Sequence, residues 1–297
     1  MTQERRTKKT LRPTKRSRPL KGASCWDRPT LESLKRIFWL VDRKLFSSRL
    51  RKQRDHVHEE RRLTSLKGKQ DAQIILNYSR DPNSLLDALC DLHGTDKGGS
   101  PGQKNPYTWF SHSYSDFFSL LFEPFREQID LVFECGLGIN NESVPANMGA
   151  RGVPGASLRK WRDYFPNAEI VGADIDKDIL FDEERISTFR VDQTDPQSIR
   201  DMWRRIGKSG FQLMIDDGLH AFEAGRTLFL ESVDHLAPNG TYIIENVSFG
   251  DMNRYMDFFG ALHYQVKFVS LRRPDHNGRD LPLGDNQLVV IRRTKLS

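Results

Sequence analysis

Three cysteines in 297 residues, Cys25, Cys90 and Cys135, are too few for a disulfide framework, and no CxxC spacing offers a zinc knuckle. A reducing, cytoplasmic setting is therefore expected. No apolar run approaches the roughly 20 residues that a membrane-spanning helix needs. The opening "MTQERRTKKTLRPTKRSRPLKG" is basic, but no apolar stretch follows, so it is not a secretory signal. An Arg-rich organellar transit peptide stays open, on a poor amphipathic pattern. There is no internal repeat. The dinucleotide fingerprint is also incomplete, since "GLGINN" has no third glycine.

Charge is present but unevenly spread. Residues 1–70 hold 22 Lys/Arg against 7 Asp/Glu, and the remainder 24 against 33, so the net +6 conceals a basic arm and a mildly acidic globule. Residues 1–28 have too little apolar content to order themselves. From Thr30 onward, Leu31, Leu34, Ile37, Phe38, Val41, Leu45 and Phe46 recur at helical spacing. They predict a basic amphipathic helix over about 31–52, inside a helical extension of residues 29–80. Such a helix docks on its own domain or a second subunit, or it meets an anionic surface, membrane or nucleic acid.

Residues 81–297 change rhythm. "PNSLLDALCDLHG" predicts a helix begun at Asp81–Pro82 and stopped by Gly94. The loop "GTDKGGSPGQKNPYTW" and an aromatic-rich helix around "YSDFFSLLFEPFREQ" follow. Short apolar segments then alternate with helices: "DLVFECGLG", "AEIVGADID", "STFRVDQTD", "FQLMIDDG" and "GTYIIEN", closed by "YQVKFVSL" and "NQLVVIRR" as antiparallel partners. This is the pattern of an α/β, doubly wound, mainly parallel sheet. Its ligands are expected beyond the carboxyl ends of the strands.

Each strand end carries polar residues. The first gives Glu134, Gly136 and Gly138, where backbone can approach a ligand closely. The second gives Asp174 and Asp176, able to accept ribose hydroxyls or to cap a helix. The third gives Asp192 and Gln193, able to bond an adenine edge or to form a turn. The fourth and fifth deliver Asp216, Asp217, Glu245 and Asn246, four oxygen-bearing side chains that parallel strands bring to one edge. Clustered carboxylates repel unless a cation joins them, and oxygen ligands suit Mg²⁺, with Mn²⁺ acceptable. His220 follows at once and is a candidate proton acceptor. The plainer alternative is that Asp217 caps the next helix and His220 only packs.

"HGTDKGG", "PGASLRKWRDYFPNAEIVGADID", "VDQTDPQSI", "IDDGLH" and "TYIIEN", in this order, resemble class I S-adenosylmethionine-dependent, Mg²⁺-dependent sugar O-methyltransferases of the macrolide and tetracenomycin glycoside type. The resemblance covers about residues 88–292 and implies a seven-stranded methyltransferase sheet. It implies a cofactor site of Glu134, Gly136, Gly138, Ser157, Asp174, Asp176, Asp192, Gln193 and Asp216. It also implies metal ligation by Asp217, Glu245 and Asn246, and His220 as base, with Asp217 part of the catalytic pair. One departure matters: the family's acidic pair ends Glu-Asp, whereas here it is Glu-Asn, and an amide oxygen carries no charge. Leu219 stands where serine is more usual. The "HGTDKGG" loop either closes over the donor or forms an ordinary surface turn. The acceptor implied is a glycoside or glycoconjugate, and related enzymes often form homo-oligomers. A catechol-type acceptor, a nucleic-acid methyltransferase using the basic arm, and a catalytically idle binding module are the competing readings.

Overall fold

The computed structural model describes residues 73–76, 84–98, 107, 109–141, 146–262, 264–271 and 284–293. All of them belong to one compact unit, Arg61–Ser297. The basic arm, the amphipathic helix and Asp81 lie outside the described residues.

Among the described residues eight strands form one sheet: β1 (Gln73–Leu76), β2 (Leu131–Cys135), β3 (Glu169–Asp174), β4 (Ile186–Arg190), β5 (Phe211–Asp216), β6 (Leu236–Ile244), β7 (Gln265–Leu271) and β8 (Gln287–Arg292). Their order is β1-β7-β8-β6-β5-β2-β3-β4. β8 runs antiparallel to β6 and β7, and all other pairs are parallel. The seven expected strands are present, including the antiparallel closing pair. The eighth is an addition: Gln73–Leu76 fell within the expected helical extension but is a strand paired along β7. The segment "QIIL" is rich in β-branched residues, and a sheet edge offers unpaired backbone groups for it to bond.

Period-2 alternation divides the sheet's side chains between two cores. Phe133, Met214, Tyr242 and Phe268 enter one, against α4 (Pro196–Ile206), α5 (Phe222–Ser232) and α6 (Phe249–Phe259). Val132, Leu213, Ile215 and Ile243 enter the other, with α1 (Leu85–His93), α2 (Tyr114–Phe122) and α3 (Ala156–Tyr164). Burial on both faces explains why the strands read as nearly unbroken apolar runs. The helix limits have local causes. Ser84 caps α1 by accepting the Asp87 N–H, and Gly94, at φ 77°, ends it. Asp195 caps α4 ahead of Pro196, and Gly207 ends it at φ 63°. The α6 helix was not foreseen, although Ser248 caps it by accepting the Asp251 N–H.

Strand order reverses between β5 and β2, and that is where the site is built. There the turn after β2 lies against the turn after β5: the Asp217 N–H donates to the Cys135 carbonyl at 2.9 Å. Gly136 has φ 100°, and a Cβ on it would sit 2.1 Å from the Asp217 carbonyl oxygen. Both conformation and space require glycine. Gly136→Ala is expected to destabilise the protein by at least about 2 kcal/mol, read as a lower urea midpoint. An unchanged midpoint would contradict this packing.

Candidate active site

The sheet register assembles the site. Cys135 lies beside Asp216 and Asp216 beside Ile244, so the next residues on the two outgoing chains, Asp217 and Glu245, meet at one rim. The Asp217 and Glu245 N–H groups prolong the ladder, donating to Cys135 and to Asp216 at 2.9 Å. Side-chain alternation then decides which acids meet. Asp217 and Glu245 share a face with Glu134 of β2, whereas Asp216 turns to the other face. The expected convergence of four oxygen donors is thus corrected: Asp216 is separated from Asp217 by the strand's own pleat.

Between the three carboxylates sits a side chain of the "HGTDKGG" loop, whose expected roles were a lid or a surface turn. The Lys97 Nζ lies 2.6 Å from Asp217 Oδ2, in contact with Glu245 Oε2, and 3.9 Å from Glu134 Oε1, and it is only 3% exposed. Its loop is tied down, not free: Ser115 N–H donates to the Lys97 carbonyl at 3.0 Å, His112 N–H to that of Asp96 at 2.7 Å, and Tyr107 Oη to that of Gly94 at 2.9 Å. Residues 94–98 are therefore an anchored wall of the site. Burial opposes the Lys97 charge, but Asp217, Glu245 and Glu134 outweigh it and hold the ammonium above the ordinary lysine range.

Burial likewise pushes Asp217 upward, yet Lys97 and a hydrogen bond from His220 prevail and keep it well below the usual carboxylate range. Glu245 is different: burial pushes it up to about 8 against the attraction of Lys97. A second buried lysine, Lys160, also draws Glu134 and Glu245 down, yet both acids stay above the ordinary glutamate range. Glu245 Oε1 and Glu134 Oε1 are moreover buried without a hydrogen-bond partner. Idle buried oxygen atoms and two acids converging on one ammonium fit a hard divalent ion, which would displace the proton that Glu245 readily holds. Among the described residues no three His, Cys, Asp or Glu side chains are arranged to hold a metal. The donor set here is two carboxylates and an amide.

His220 Nε2 lies 3.3 Å from Asp217 Oδ1. Burial favours the neutral ring, but Asp217 overrides it and raises the imidazole above its ordinary value. His220 (φ 55°) and Asn246 (φ 52°) both adopt left-handed backbone, uncommon for side-chain-bearing residues, directly after the two acid-bearing strands. The Asn246 amide is held on both sides. Tyr114 Oη donates to its Oδ1 at 3.4 Å, and its Nδ2 lies 3.1 Å from His112 Nε2. His112 stacks on Tyr114 with ring centroids 4.7 Å apart. Neither aromatic residue was singled out in the sequence. They lie more than 130 positions from Asn246, and nothing in "SHSYSDF" marks the contact.

A cavity of about 510 Å³ opens beside this cluster and takes in Gly136, Gly138, Asp174, Asp192, Gln193, Asp217, His220 and Asn246 from the expected set. Asp174 steadies the glycine turn by accepting the Leu137 N–H at 2.7 Å. Four expected cofactor residues lie off this cavity. Glu134 is fully buried, its Oε2 accepting from Trp161 Nε1 at 2.5 Å and Ser157 Oγ at 3.0 Å, so Ser157 serves Glu134. Asp176 caps a short turn of 3₁₀-helix, accepting the Asp178 N–H at 2.9 Å. Asp216 faces α5 and α6. Gln193 does line the cavity, but its amide is committed to the chain: Nε2 donates to Asp216 Oδ1 at 2.5 Å and Oε1 accepts the Leu219 N–H at 2.9 Å. It clasps the turn that carries Asp217 and His220.

No family model matches the chain. It is 32% identical over 162 residues to the 8-demethyl-8-alpha-L-rhamnosyl tetracenomycin-C 2'-O-methyltransferase of Streptomyces olivaceus, 54% of this chain and 37% of that one. It is 34% identical over 142 residues to the mycinamicin VI 2''-O-methyltransferase of Micromonospora griseorubida, 48% of this chain and 33% of that one. About half of the chain is thus similar in sequence to part of two proteins named as O-methyltransferases. It matches only about a third of the length of these curated relatives. Among solved structures, the MycE methyltransferase of the mycinamycin pathway, in complex with Mg and SAH, aligns with TM-score 0.49 and 24% identity over 74% of this chain and 57% of that one.

Asp216 offers a test of the geometry. Burial, ahead of all other influences, raises its carboxyl from 3.8 to about 6, and its Oδ2 has no hydrogen-bond partner. The folded state thus holds this proton over a range where the unfolded chain releases it. Stability attributable to Asp216 falls as pH rises from about 4 to about 6, and the full cost, on the order of 3 kcal/mol, applies at neutral pH. Asp216→Asn should stabilise the protein at pH 7 and flatten its stability between pH 4 and 6, measured by urea unfolding. Equal destabilisation at both ends would contradict it.

Proposed function

We propose that this chain is an S-adenosylmethionine-dependent O-methyltransferase that acts on a sugar hydroxyl of a glycoside or glycoconjugate, with Mg²⁺ or Mn²⁺ held by Asp217, Glu245 and Asn246. The observation that carries the reading is the meeting of Asp217 and Glu245 on the Lys97 ammonium, with His220 bonded to the same Asp217, where Asp217, His220 and Asn246 line a ligand-sized cavity. The sequence relation to enzymes named for methylating sugars on tetracenomycin and mycinamicin supports the acceptor class.

Methyl transfer from a sulfonium is an in-line displacement, so its first need is alignment of oxygen, methyl and sulfur. The glycine turn after β2, with Asp174 and Asp192 beyond it, forms the donor's part of the cavity. Asp174 suits the ribose. Asp192 and the backbone near Val191 suit the adenine, because the Gln193 amide is already engaged. The second need is to remove a tightly held proton. His220 Nε2, aligned by Asp217, is the acceptor at the acceptor-side mouth, where Trp109, Phe110 and Leu219 also lie. Trp109 is fixed there by donating to Asp96 Oδ2 at 2.8 Å, and its ring suits the apolar face of a sugar or its aglycone. A divalent cation held by Asp217, Glu245 and Asn246 would supply Lewis acidity beside His220. The Asn246 amide is fixed in orientation by Tyr114 and His112, which partly offsets its lack of charge.

Two outcomes are expected when S-adenosylhomocysteine formation is followed by mass spectrometry. His220→Ala should slow turnover about 10²–10⁴-fold, the usual contribution of a positioned base. A second chelatable-metal test separates acceptors: rhamnosyl or other deoxysugar glycosides should be methylated and EDTA should abolish the reaction. Turnover of catechol or RNA with no turnover of any glycoside would overturn the sugar reading. Near-normal turnover by His220→Ala would overturn the base.

A further inference from the structure

We infer that Lys97 is the resident counter-ion of the carboxylate cage, and that a divalent cation enters by moving the Lys97 ammonium off Asp217 and Glu245 onto Glu134. The inference rests on the metal reading of Asp217 and Glu245 given above, and concerns what this chain's own residues do as the ion binds.

Three observations carry it. The ammonium already occupies the space between Asp217 Oδ2 and Glu245 Oε2. Two cations cannot share those oxygens, since like charges at that separation repel strongly in a buried site. The lysine is 3% exposed and its loop is pinned to the start of α2 through Ser115 and His112, so full withdrawal to solvent is closed to it. A second seat lies within reach. Glu134 Oε1 is buried, lacks a hydrogen-bond partner, and lies 3.9 Å from Lys97 Nζ. Its other oxygen is fixed by Trp161 Nε1 and Ser157 Oγ, so the free oxygen keeps its aim toward the lysine. A small shift of a flexible ammonium therefore exchanges a position shared with two cage acids for one on Glu134. The exchange keeps the ammonium on a carboxylate in both states, and an unpaired buried charge is costly. This assigns a use to a fully buried glutamate that does not reach the cavity: it is a positioning residue for metal loading.

The assignment makes opposite predictions for two neighbouring residues. Lys97→Met removes the competitor and should tighten Mn²⁺ binding by at least about tenfold, measured on the full chain by calorimetry and by the paramagnetic signal of free Mn²⁺. Glu134→Gln removes the receiving carboxylate while keeping side-chain size and an oxygen for Trp161 and Ser157, and should weaken Mn²⁺ binding severalfold. General damage to a buried cluster would weaken both. Should Lys97→Met fail to fold, Glu134→Gln decides alone, and unchanged Mn²⁺ affinity overturns the inference. Unchanged or weaker binding by folded Lys97→Met also overturns it, leaving the metal site intact. Absence of Mn²⁺ binding in the unaltered protein and both variants overturns the metal reading itself, and the inference with it.

Discussion

Three buried carboxylates around one lysine ammonium are the interaction on which this site depends. Glu134, Asp217 and Glu245 come from adjacent parallel strands, and the register places them on one face, where their mutual repulsion must be answered. The loop after α1 delivers Lys97 for that purpose, and its backbone bonds to the start of α2 hold it there. Removing Lys97 would leave the buried acids without that counter-ion, and its bonds couple the helical layer to the sheet as well as shaping the chemistry.

Around that cluster the protein spends backbone strain. His220 and Asn246, at positive φ, turn the chain immediately after the acids of β5 and β6 and bring an imidazole and an amide back toward the rim. The strain is held by specific contacts. Gln193 clasps the turn before His220, and Tyr114 and His112 grip Asn246 from two sides. Such outliers persist where neighbours over-determine them, and here both sit at the proposed reacting centre. The Asn246 position shows how a neutral residue is accommodated: it gains hydrogen-bond partners where an acid would bring charge.

Much of this was legible in the chain itself. Apolar runs ending in acids gave the sheet, its parallel core and its antiparallel closing pair, because both sheet faces are buried. The same period-2 rule separates Asp216 from Asp217, a division visible in "IDDG" once β5 is known to end there. Asp176, equally, had helix capping as its plainer reading and does cap. What sequence order could not disclose were contacts made across great separations. Lys97 lies 120 positions from Asp217, and only the folded chain shows that "GTDK" supplies a counter-ion to the cage. Glu134 looked like a cofactor contact because it precedes the glycine turn, yet strand alternation sends its side chain behind the cavity, toward Trp161.

The central claim is that neighbouring strand ends form a cation site facing a donor cavity. Diffraction from crystals grown with Mn²⁺ and S-adenosylhomocysteine, collected at the manganese edge, examines it most directly. The account predicts an anomalous peak about 2.0–2.3 Å from both Asp217 and Glu245, with the nucleoside against Asp174. A cavity that holds the nucleoside while Lys97 stays between the two acids, with no manganese beside them, would contradict it.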